Sequence, residues 1–460
     1  MRSSKLDKLK NLKSKARKYS IAQGIFASAK INTGDNYVQP FAIAINSKNY
    51  IVALLPAISG LLGPLSQIYG SKAMKKYSRK RIILTCYPLR LIFWVSLILL
   101  SILFYKNKLV PVLPAILLGL YAVYNILAGI SYPAWFSWVG ELVSKEYRGR
   151  WFSKRNLLMG IFGTGVLIAS AAFLDIFKKR GSPTIGFAIL FGFAFIFGLI
   201  SLHYMRKQYE PKLKISKKDQ LTFNEFLKKA TKTNFGKFTL FRSMILFSST
   251  ISSSLLAVYL LRELQLSYLL YVIIVFGAGI VSFLSLEIWG KFADKYGNYA
   301  VIALTTIIIP LVPILWILLP SPIYLFFVPS LLNHLSWAGF NLSASNFIYD
   351  NVSQKKVGPA ISYHNILAGS GVFLGSIVAA ILIKFLPPLK LEPIQLIFII
   401  SSLACMLTVA YWIPKLREVR KTSKFEGAKS IKEMIEKEGE ATLKEEFHQL
   451  MALGRYLHPR

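Results

Sequence analysis

The chain has 460 residues, of which 54% are hydrophobic and 17% charged, and its mean hydropathy is +0.48. A soluble protein of this length would carry charge on about 25% of its residues, so the composition excludes the ordinary soluble classes. The net charge of +35 would suit nucleic acid, but the basic residues lie between apolar blocks, as they do in membrane proteins. Cys86 and Cys405 fall within those blocks and are too few for a disulfide framework or a metal site.

Apolar blocks of roughly 18–25 residues recur along the chain, each long enough to cross a bilayer as a helix. The blocks lack the alternation of barrel strands, so the sequence predicts an all-α integral membrane protein with twelve transmembrane helices. The first six spans are predicted at 20–45, 50–70, 82–105, 109–139, 157–177 and 184–205. The second six are predicted at 238–261, 267–290, 299–320, 322–349, 359–386 and 393–413.

The first span is interrupted by polar residues. Asn32, Asp35, Asn36 and Gln39 recur at i, i+3, i+4 and i+7, which places them on one face of a helix. A polar stripe of this kind faces a water-filled cavity or another helix, because lipid cannot satisfy it. Lys30 lies about 140° from Asp35 around an ideal helix, so we do not expect these two side chains to pair.

Other spans also carry polar side chains. Arg90 lies about 12 Å inside the third span and should pair with a carboxylate or bind an anionic substrate. Judged from depth alone, its nearest carboxylate is Asp35. Arg242 and His364 lie near cytoplasmic ends, where snorkelling or an interface contact is expected, and Asp175 is expected at the outer interface. The remaining candidates for a substrate or proton pathway are Asn125 in span four and His334, Trp337 and Asn341 in span ten. For the asparagines, hydrogen bonding between helices is the alternative.

The basic residues are unevenly distributed between the loops. With the N-terminus placed inside, 44 of the 56 Lys and Arg residues lie in the segments on that side. The positive-inside rule therefore predicts a multi-pass protein of the plasma membrane with both termini in the cytoplasm. The predicted domains are a basic N-terminus at 1–19, a six-helix bundle at 20–205, a cytoplasmic loop at 206–237, a second six-helix bundle at 238–413 and a partly helical tail at 414–460.

The two halves of the chain repeat each other. A shift of 227 residues places GPLSQIYG (63–70) on GKFADKYG (290–297). A shift of 209 residues places Glu141 on Asp350, at the junction that follows the fourth span of each half. Two matches at corresponding places predict a duplicated six-helix unit.

The repeated loop resembles the signature G-x-x-x-D-[RK]-x-G of the major facilitator superfamily. The second half keeps Asp294 and Lys295, whereas the first half has Gln67 where the acid belongs. The resemblance implies the fold of that family and a cytoplasmic gate, although ordinary helix-end charges are the alternative for these residues. The residues that it places in the gate are Gly63, Gln67, Gly70, Glu141, Arg148, Arg150, Gly290, Asp294, Lys295, Gly297 and Asp350.

Signatures of enzymes are missing from the sequence. There is no phosphate-binding loop, no His-Cys metal spacing and no nucleophile elbow, so we expect no enzyme activity, no cofactor and no metal. The sequence predicts a secondary transporter, or permease, that moves a small organic solute or drug by alternating access, as a monomer in the lipid bilayer. Asp35 could carry a proton, which leaves symport, antiport and uniport open. The alternatives are a non-transporting sensor or scaffold, a lipid translocase, and a membrane enzyme of lipid metabolism.

Overall fold

The computed structural model describes residues 2–143, 148–211, 226, 228, 230–352, 357–388, 391–423, 425 and 427. Throughout those residues the chain forms helices joined by turns and short connections, without a strand. The predicted all-α class is therefore confirmed. Most of the tail at 414–460, including the part predicted to be helical, lies outside the described residues.

The helices of the first half follow one another with short connections. They are α1 (Arg2–Thr33), α2 (Val38–Ala44), α3 (Asn49–Ala73), α4 (Arg79–Tyr105), α5 (Leu113–Leu142), α6 (Arg148–Lys179) and α7 (Pro183–Lys207). A 3₁₀ turn at Asp35–Tyr37 separates α1 from α2. The first half therefore supplies a broken first helix and five continuous ones.

The helices of the second half contain three π-helical segments, at Tyr259–Glu263, Ile273–Gly277 and Phe326–Ser330. The α-helices are α8 (Asn234–Ser253), α9 (Leu256–Val258), α10 (Tyr268–Val272), α11 (Gly279–Tyr296), α12 (Asn298–Ile308), α13 (Val312–Leu318), α14 (Pro322–Leu325), α15 (Leu331–Asn351), α16 (Val357–Phe385) and α17 (Pro393–Trp412). Wide π turns are common at functional sites of membrane helices because they redirect side chains.

Within the described residues, eleven helices are long and apolar enough to cross a membrane. They correspond to the second to twelfth predicted spans. The first predicted span falls short because the helix stops at Thr33 and carries charged residues where lipid would require apolar ones. Its two pieces, α1 and α2, occupy the position of the first predicted span at 20–45.

The chain divides into two compact units. The first contains residues 1–217, 254–272 and 372–387, and the second contains residues 218–253, 273–371 and 388–460. Unit 1 therefore holds the whole first half together with α9, α10 and the end of α16. Unit 2 holds the rest of the second half.

In unit 1, α3 packs against α5, α1 packs against α6 and α7, and α4 packs against α5 and α7. Glycines permit the closest of these contacts. A side chain at Gly70 would collide with the carbonyl of Ile130, and one at Gly129 would collide with the carbonyl of Gly63. Helices in membranes associate through such small residues because lipid provides no hydrophobic drive between them.

In unit 2, α8 packs against α17, and α15 packs against both α11 and α12. A cluster of phenylalanines fills the space between these helices. Phe238, Phe241, Phe340 and Phe347 are all fully buried, and the rings of Phe238 and Phe347 lie 4.7 Å apart. This core holds α8 and α15 at fixed positions.

Candidate substrate and proton pathway

The break after α1 occurs at Gly34, which packs directly against the ring of Trp94. Any side chain at Gly34 would overlap that ring, and the backbone there leaves the helical region with φ −126° and ψ −79°. Asp35 follows the break and so does not lie where a continuous helix would put it. Its carboxylate Oδ2 is 3.0 Å from Lys30 Nζ. The expectation that Lys30 and Asp35 would not pair is therefore wrong, because the angle of an ideal helix does not apply across the break.

The hydroxyl of Tyr124, on α5, lies at the centre of this charged cluster. It donates to Asp35 Oδ1 at 2.5 Å and accepts from Lys30 Nζ at 2.7 Å. Arg90, on α4, donates to the same hydroxyl at 3.0 Å. Arg90 thus reaches Asp35 through Tyr124 instead of by direct contact. We call Lys30, Asp35, Arg90 and Tyr124 the charged network.

Aromatic rings surround the two cations of the charged network. The Arg90 guanidinium lies 4.6 Å from the centre of the Tyr124 ring, and Lys30 Nζ lies 5.5 Å from the Trp94 ring. Cation–π contacts of this kind stabilise charge where water is scarce. The Lys30 side chain is only 7% exposed, whereas that of Asp35 is 27% exposed. Asp35 is therefore the member of the pair that water reaches more easily.

Sequence reasoning missed Tyr124. Nothing in its position distinguishes it from Tyr121, one turn earlier in the same apolar span, where aromatic residues usually fill contacts between helices. Only the approach of α1 and α4 to α5 shows that its hydroxyl receives both cations.

The other polar residues of the first span are half-buried in unit 1. Asn36 Nδ2 donates to Asn32 Oδ1 at 2.9 Å, so the predicted polar stripe continues across the helix break. Gln39 Nε2 lies 3.4 Å from the carbonyl of Ser254. Asn125 donates to the carbonyl of Tyr121 within its own helix, at 2.8 Å, and so does not form the bond between helices that was considered for it.

The predicted residues of the tenth span belong to unit 2 and have different surroundings. His334 Nε2 lies 3.0 Å from the Val275 carbonyl, so this ring contacts the π segment at Ile273–Gly277. Trp337 packs its ring against Phe340 at 5.3 Å. Asn341 is exposed on α15 and accepts from Arg242 at 3.4 Å. Of the three, Asn341 is the one that lies beside a charged side chain, that of Arg242.

Arg242 and His364 are the two residues expected to snorkel or to lie at an interface. His364 is 1% exposed, so its side chain is buried within unit 2 and does not snorkel. Its Nδ1 lies 2.9 Å from Thr239 Oγ1, and its Nε2 lies 3.0 Å from a terminal nitrogen of Arg242. Packing of α8 against α16 draws both side chains inward.

The end of unit 1 that carries the signature loop is held by Arg79, the first residue of α4. Its guanidinium lies 3.1 Å from Glu141 and 3.4 Å from Glu210, and it is almost fully buried. Its backbone N–H also donates to Glu210 at 2.8 Å. Glu141 thus belongs to an ion pair as a gate residue would, but with a partner that sequence reasoning did not consider.

Unit 2 repeats this arrangement. Asn298, the first residue of α12, donates from its side chain to Asp350 at 2.8 Å. The next backbone N–H, that of Tyr299, donates to Glu418 at 2.9 Å. Asp350 matches Glu141 in the sequence repeat, and Glu418 follows the last span as Glu210 follows the sixth. The duplication therefore extends to the residues that hold these helix ends.

The signature residues of unit 2 lie at the end of α11, next to the start of α12. Asp294 is 81% exposed and lies 3.4 Å from Arg420, while Lys295 lies over the Tyr296 ring at 5.2 Å. Gly297 has φ +92°, a conformation that favours glycine, and ends α11. In unit 1, Gln67 is half-buried. Gly290 has open space around it. Arg148 and Arg150 belong to α6, but their side chains are not among the parts of the chain that the structure describes.

At the other end of unit 1, segments from both halves of the sequence are joined by hydrogen bonds. The Asp175 carboxylate accepts from the backbone N–H groups of Tyr268 and Leu269, at 2.7 Å and 2.9 Å, and so caps α10. The sequence predicted an interfacial position for Asp175 but not this cap. Arg262 donates to the carbonyl of Ser47 at 2.9 Å. A cavity of about 740 Å³ beside it is lined by Asn46, Ser47, Lys48, Asn49, Tyr50, Arg262, Ile383 and Lys384.

Comparison with known proteins places this chain in a family of membrane transporters. The family model of the Major Facilitator Superfamily matches residues 25–285 and 238–457, so the chain belongs to that family. It is a multi-pass secondary transporter, as the sequence predicted. None of the curated proteins matches it significantly.

Solved structures share the fold at low sequence identity. One is a variant of the nucleoside transporter NupG, with 14% identity, a TM-score of 0.67 and coverage of 88% of this chain and all of that one. Another is a bacterial homologue of the iron transporter ferroportin in its inward-facing state, with 14% identity, a TM-score of 0.60 and coverage of 87% and 98%. Within the described residues, no group of three His, Cys, Asp or Glu side chains could hold a metal ion.

Proposed function

We propose that this transporter moves a small organic solute in a cycle driven by protons, and that Asp35 carries the proton. The observation that supports this role is the charged network, in which a single carboxylate balances two cations within the membrane-spanning part of unit 1. Arg90 follows the start of α4 by eleven residues, or about 16 Å along the helix. Charges at such depth are costly and are kept where they serve transport.

The geometry gives protonation of Asp35 a definite consequence. As a carboxylate, Asp35 holds Lys30 at 3.0 Å and accepts from Tyr124 at 2.5 Å. A protonated Asp35 no longer attracts Lys30, so the ammonium group is released to bind another partner. Proton uptake and substrate binding are linked through Lys30 in this way, and each alters the affinity for the other.

The break at Gly34 supports the same proposal. Transporters commonly bind substrates and coupling ions where a membrane helix is interrupted, because freed backbone groups and side chains face the pathway there. Asn32 and Asn36, on the two sides of the break, extend the polar surface beside Asp35. We assign these residues, with Gln39, to the same pathway.

The remaining parts of the proposal concern topology and assembly. The excess of Lys and Arg in one set of loops supports a plasma-membrane location with both termini in the cytoplasm. The ion pairs of Arg79 and the equivalent hydrogen bond of Asn298 then lie on the cytoplasmic side, where Glu141 and Asp350 act in the gate. We further propose that a monomer suffices for transport and that the chain has no enzyme activity.

The experiment compares wild-type protein with Asp35→Asn in proteoliposomes. A solute that stabilises the purified protein against heat serves as the transported compound, because ligands of the native state raise its unfolding temperature. We expect Asp35→Asn to lose accumulation driven by a pH gradient while keeping exchange of labelled for unlabelled solute. Glu392→Gln, which removes an exposed carboxylate at the start of α17, outside the pathway and the gate, is the matched control and should keep both activities.

Two results would contradict the proposal. Accumulation driven by the pH gradient in Asp35→Asn, at the wild-type rate, would exclude Asp35 as the proton carrier. Solute uptake without any proton movement in the wild-type protein, followed with a pH-sensitive dye inside the vesicles, would exclude proton coupling altogether.

A further inference from the structure

Arg242, on α8, is a cation in a membrane-spanning helix of unit 2, and the part of the chain that the structure describes offers it no carboxylate partner. It follows the start of α8 by eight residues, or about 12 Å. Among the described residues, no carboxylate lies within salt-bridge distance of its guanidinium. The described acidic residues of unit 2 have other partners: Asp294 pairs with Arg420, Glu287 with Lys291, Asp350 with Asn298 and Glu418 with the Tyr299 backbone, and Glu392 caps α17.

A chain of hydrogen bonds runs from Thr239 through His364 to the guanidinium of Arg242. Thr239 Oγ1 donates to the Phe235 carbonyl at 3.0 Å, so this oxygen is free to accept from His364 Nδ1 at 2.9 Å. His364 Nε2 then carries no proton and accepts from Arg242 at 3.0 Å. His364 is therefore neutral, and it fixes the guanidinium without neutralising its charge.

The buried rings around His364 keep this support rigid. Phe238 stacks on the imidazole at 5.7 Å with an interplanar angle of 12°, and Phe235 lies on it at 6.1 Å. An imidazole packed in this way cannot turn away from Arg242. The direction of the guanidinium is set by the fold and not by a ligand.

The other side of Arg242 is open and polar. The bond from one terminal nitrogen to Asn341 is long, at 3.4 Å, and lies on the exposed side, whereas the Nε atom is buried and has no partner among the described residues. Asn341 and Ser345 are both exposed and lie one turn apart on α15. Exposed polar side chains on a membrane-spanning helix face water, because lipid cannot satisfy them. The terminal nitrogen of Arg242 that contacts Asn341 thus lies beside a hydrated surface.

From these observations we infer that Arg242 binds the carboxylate or phosphate group of a small organic anion, with His364 as its positioning residue and Asn341 beside it. The inference rests on the proposed function and adds the charge class of the solute. The planar guanidinium matches both oxyanions, which accept two parallel hydrogen bonds from it. A bound anion would also supply the counter-charge that the described residues of unit 2 do not provide.

The first test measures the local charge without requiring the natural solute. Ser345→Cys is labelled with two methanethiosulfonate reagents, the anionic sulfonatoethyl and the cationic trimethylammonioethyl compounds. The native cysteines, Cys86 and Cys405, are both buried. We expect the anionic reagent to react faster. Arg242→Gln should lower the ratio of the two rates about tenfold, because one charge at ~6 Å in a watery environment alters each rate about threefold.

Matched variants separate the charge of Arg242 from other effects. Arg242→Lys should keep the preference for the anionic reagent, and Lys237→Gln removes a charge from the same helix without changing the ratio. His364→Leu should lower the ratio, while His364→Gln, which keeps an acceptor, should restore much of it. An effect on folding alone would not distinguish the two reagents.

The second test measures binding of named compounds by thermal unfolding of the purified protein. Benzoate is compared with benzamide, succinate with succinamide, and inorganic phosphate is tested alone. We expect at least one anion to stabilise the wild type while its amide does not. The affinity for that anion should fall about tenfold or more in Arg242→Gln, which loses hydrogen bonds between charged groups.

The outcomes are distinct. Equal ratios of the two labelling rates in wild type and Arg242→Gln would overturn the inference. If Arg242→Gln does not fold, a faster reaction of the cationic reagent in the otherwise wild-type protein would overturn it. Stabilisation by none of the anions, or equally in Arg242→Gln, would also overturn it. Proton coupling through Asp35 is judged separately by the pH-gradient experiment, so either proposal can fail while the other stands.

Discussion

Removing the Tyr124 hydroxyl tests the charged network most directly. Tyr124→Phe keeps the ring and its contacts but removes one donor to Asp35 and one acceptor shared by Lys30 and Arg90. Lys30 and Asp35 still hold each other at 3.0 Å, so their ion pair remains. Arg90 loses the hydrogen bond that anchors it, and its Nε already has no partner.

The magnitude follows from these contacts. A hydrogen bond to a charged group contributes about 1.5–3 kcal/mol, and an unsatisfied buried group costs about as much. Since the Lys30–Asp35 pair survives, we expect a net loss of roughly 2–4 kcal/mol in the free energy of unfolding. Polar bonds within membranes sometimes contribute less, which favours the lower end of this range.

The assay is reversible unfolding of the purified protein in mixed micelles, followed by tryptophan fluorescence. Tyr132→Phe is the matched control, because Tyr132 lies on the same helix and is 50% exposed. It should alter the unfolding free energy by less than about 0.5 kcal/mol. The double variant Arg90→Gln/Tyr124→Phe should show non-additive losses, since the two residues share one bond. A Tyr124→Phe protein as stable as the control would refute the assignment of Tyr124 as the centre of the network.

Two further predictions concern stability. Gly34→Ala introduces a methyl group against the Trp94 ring, and we expect about 1–3 kcal/mol of destabilisation in the same unfolding assay, as for other overpacked sites. Glu210→Gln and Glu418→Gln remove the charge from equivalent caps in the two halves. The first should cost more, about 2–3 kcal/mol, because it also removes one of the two carboxylates that pair with the buried Arg79, whereas a weakened cap alone costs at most about 1 kcal/mol.

The controls for these predictions come from the chain itself. Gly63→Ala places a methyl group where the structure has open space, so it should be nearly neutral beside Gly34→Ala. Equal stability of the two alanine variants would show that Gly34 is not constrained by Trp94. A larger loss for Glu418→Gln than for Glu210→Gln would contradict the account of Arg79, whose guanidinium has no counterpart at Asn298.

Eleven of the predicted spans, the transporter class and the family were all readable from the sequence. Each depends on properties that add up residue by residue: apolar length sets the spans, and a repeated pattern shows the duplication. Glu141 and Asp350 were likewise matched by register before their contacts were known. No tertiary contact is needed for inferences of this kind.

The chemistry of the site depended on the tertiary structure. Lys30 and Asp35 pair because Gly34 ends the helix, and Gly34 ends it against Trp94, a residue 60 positions away in the sequence. Helical periodicity cannot anticipate such a break, since it assumes that the helix continues. The same limit applied to Tyr124 and His364, whose roles arise from neighbours on other helices. The sequence by itself therefore determined which segments cross the membrane, and only packing decided which of their polar side chains meet.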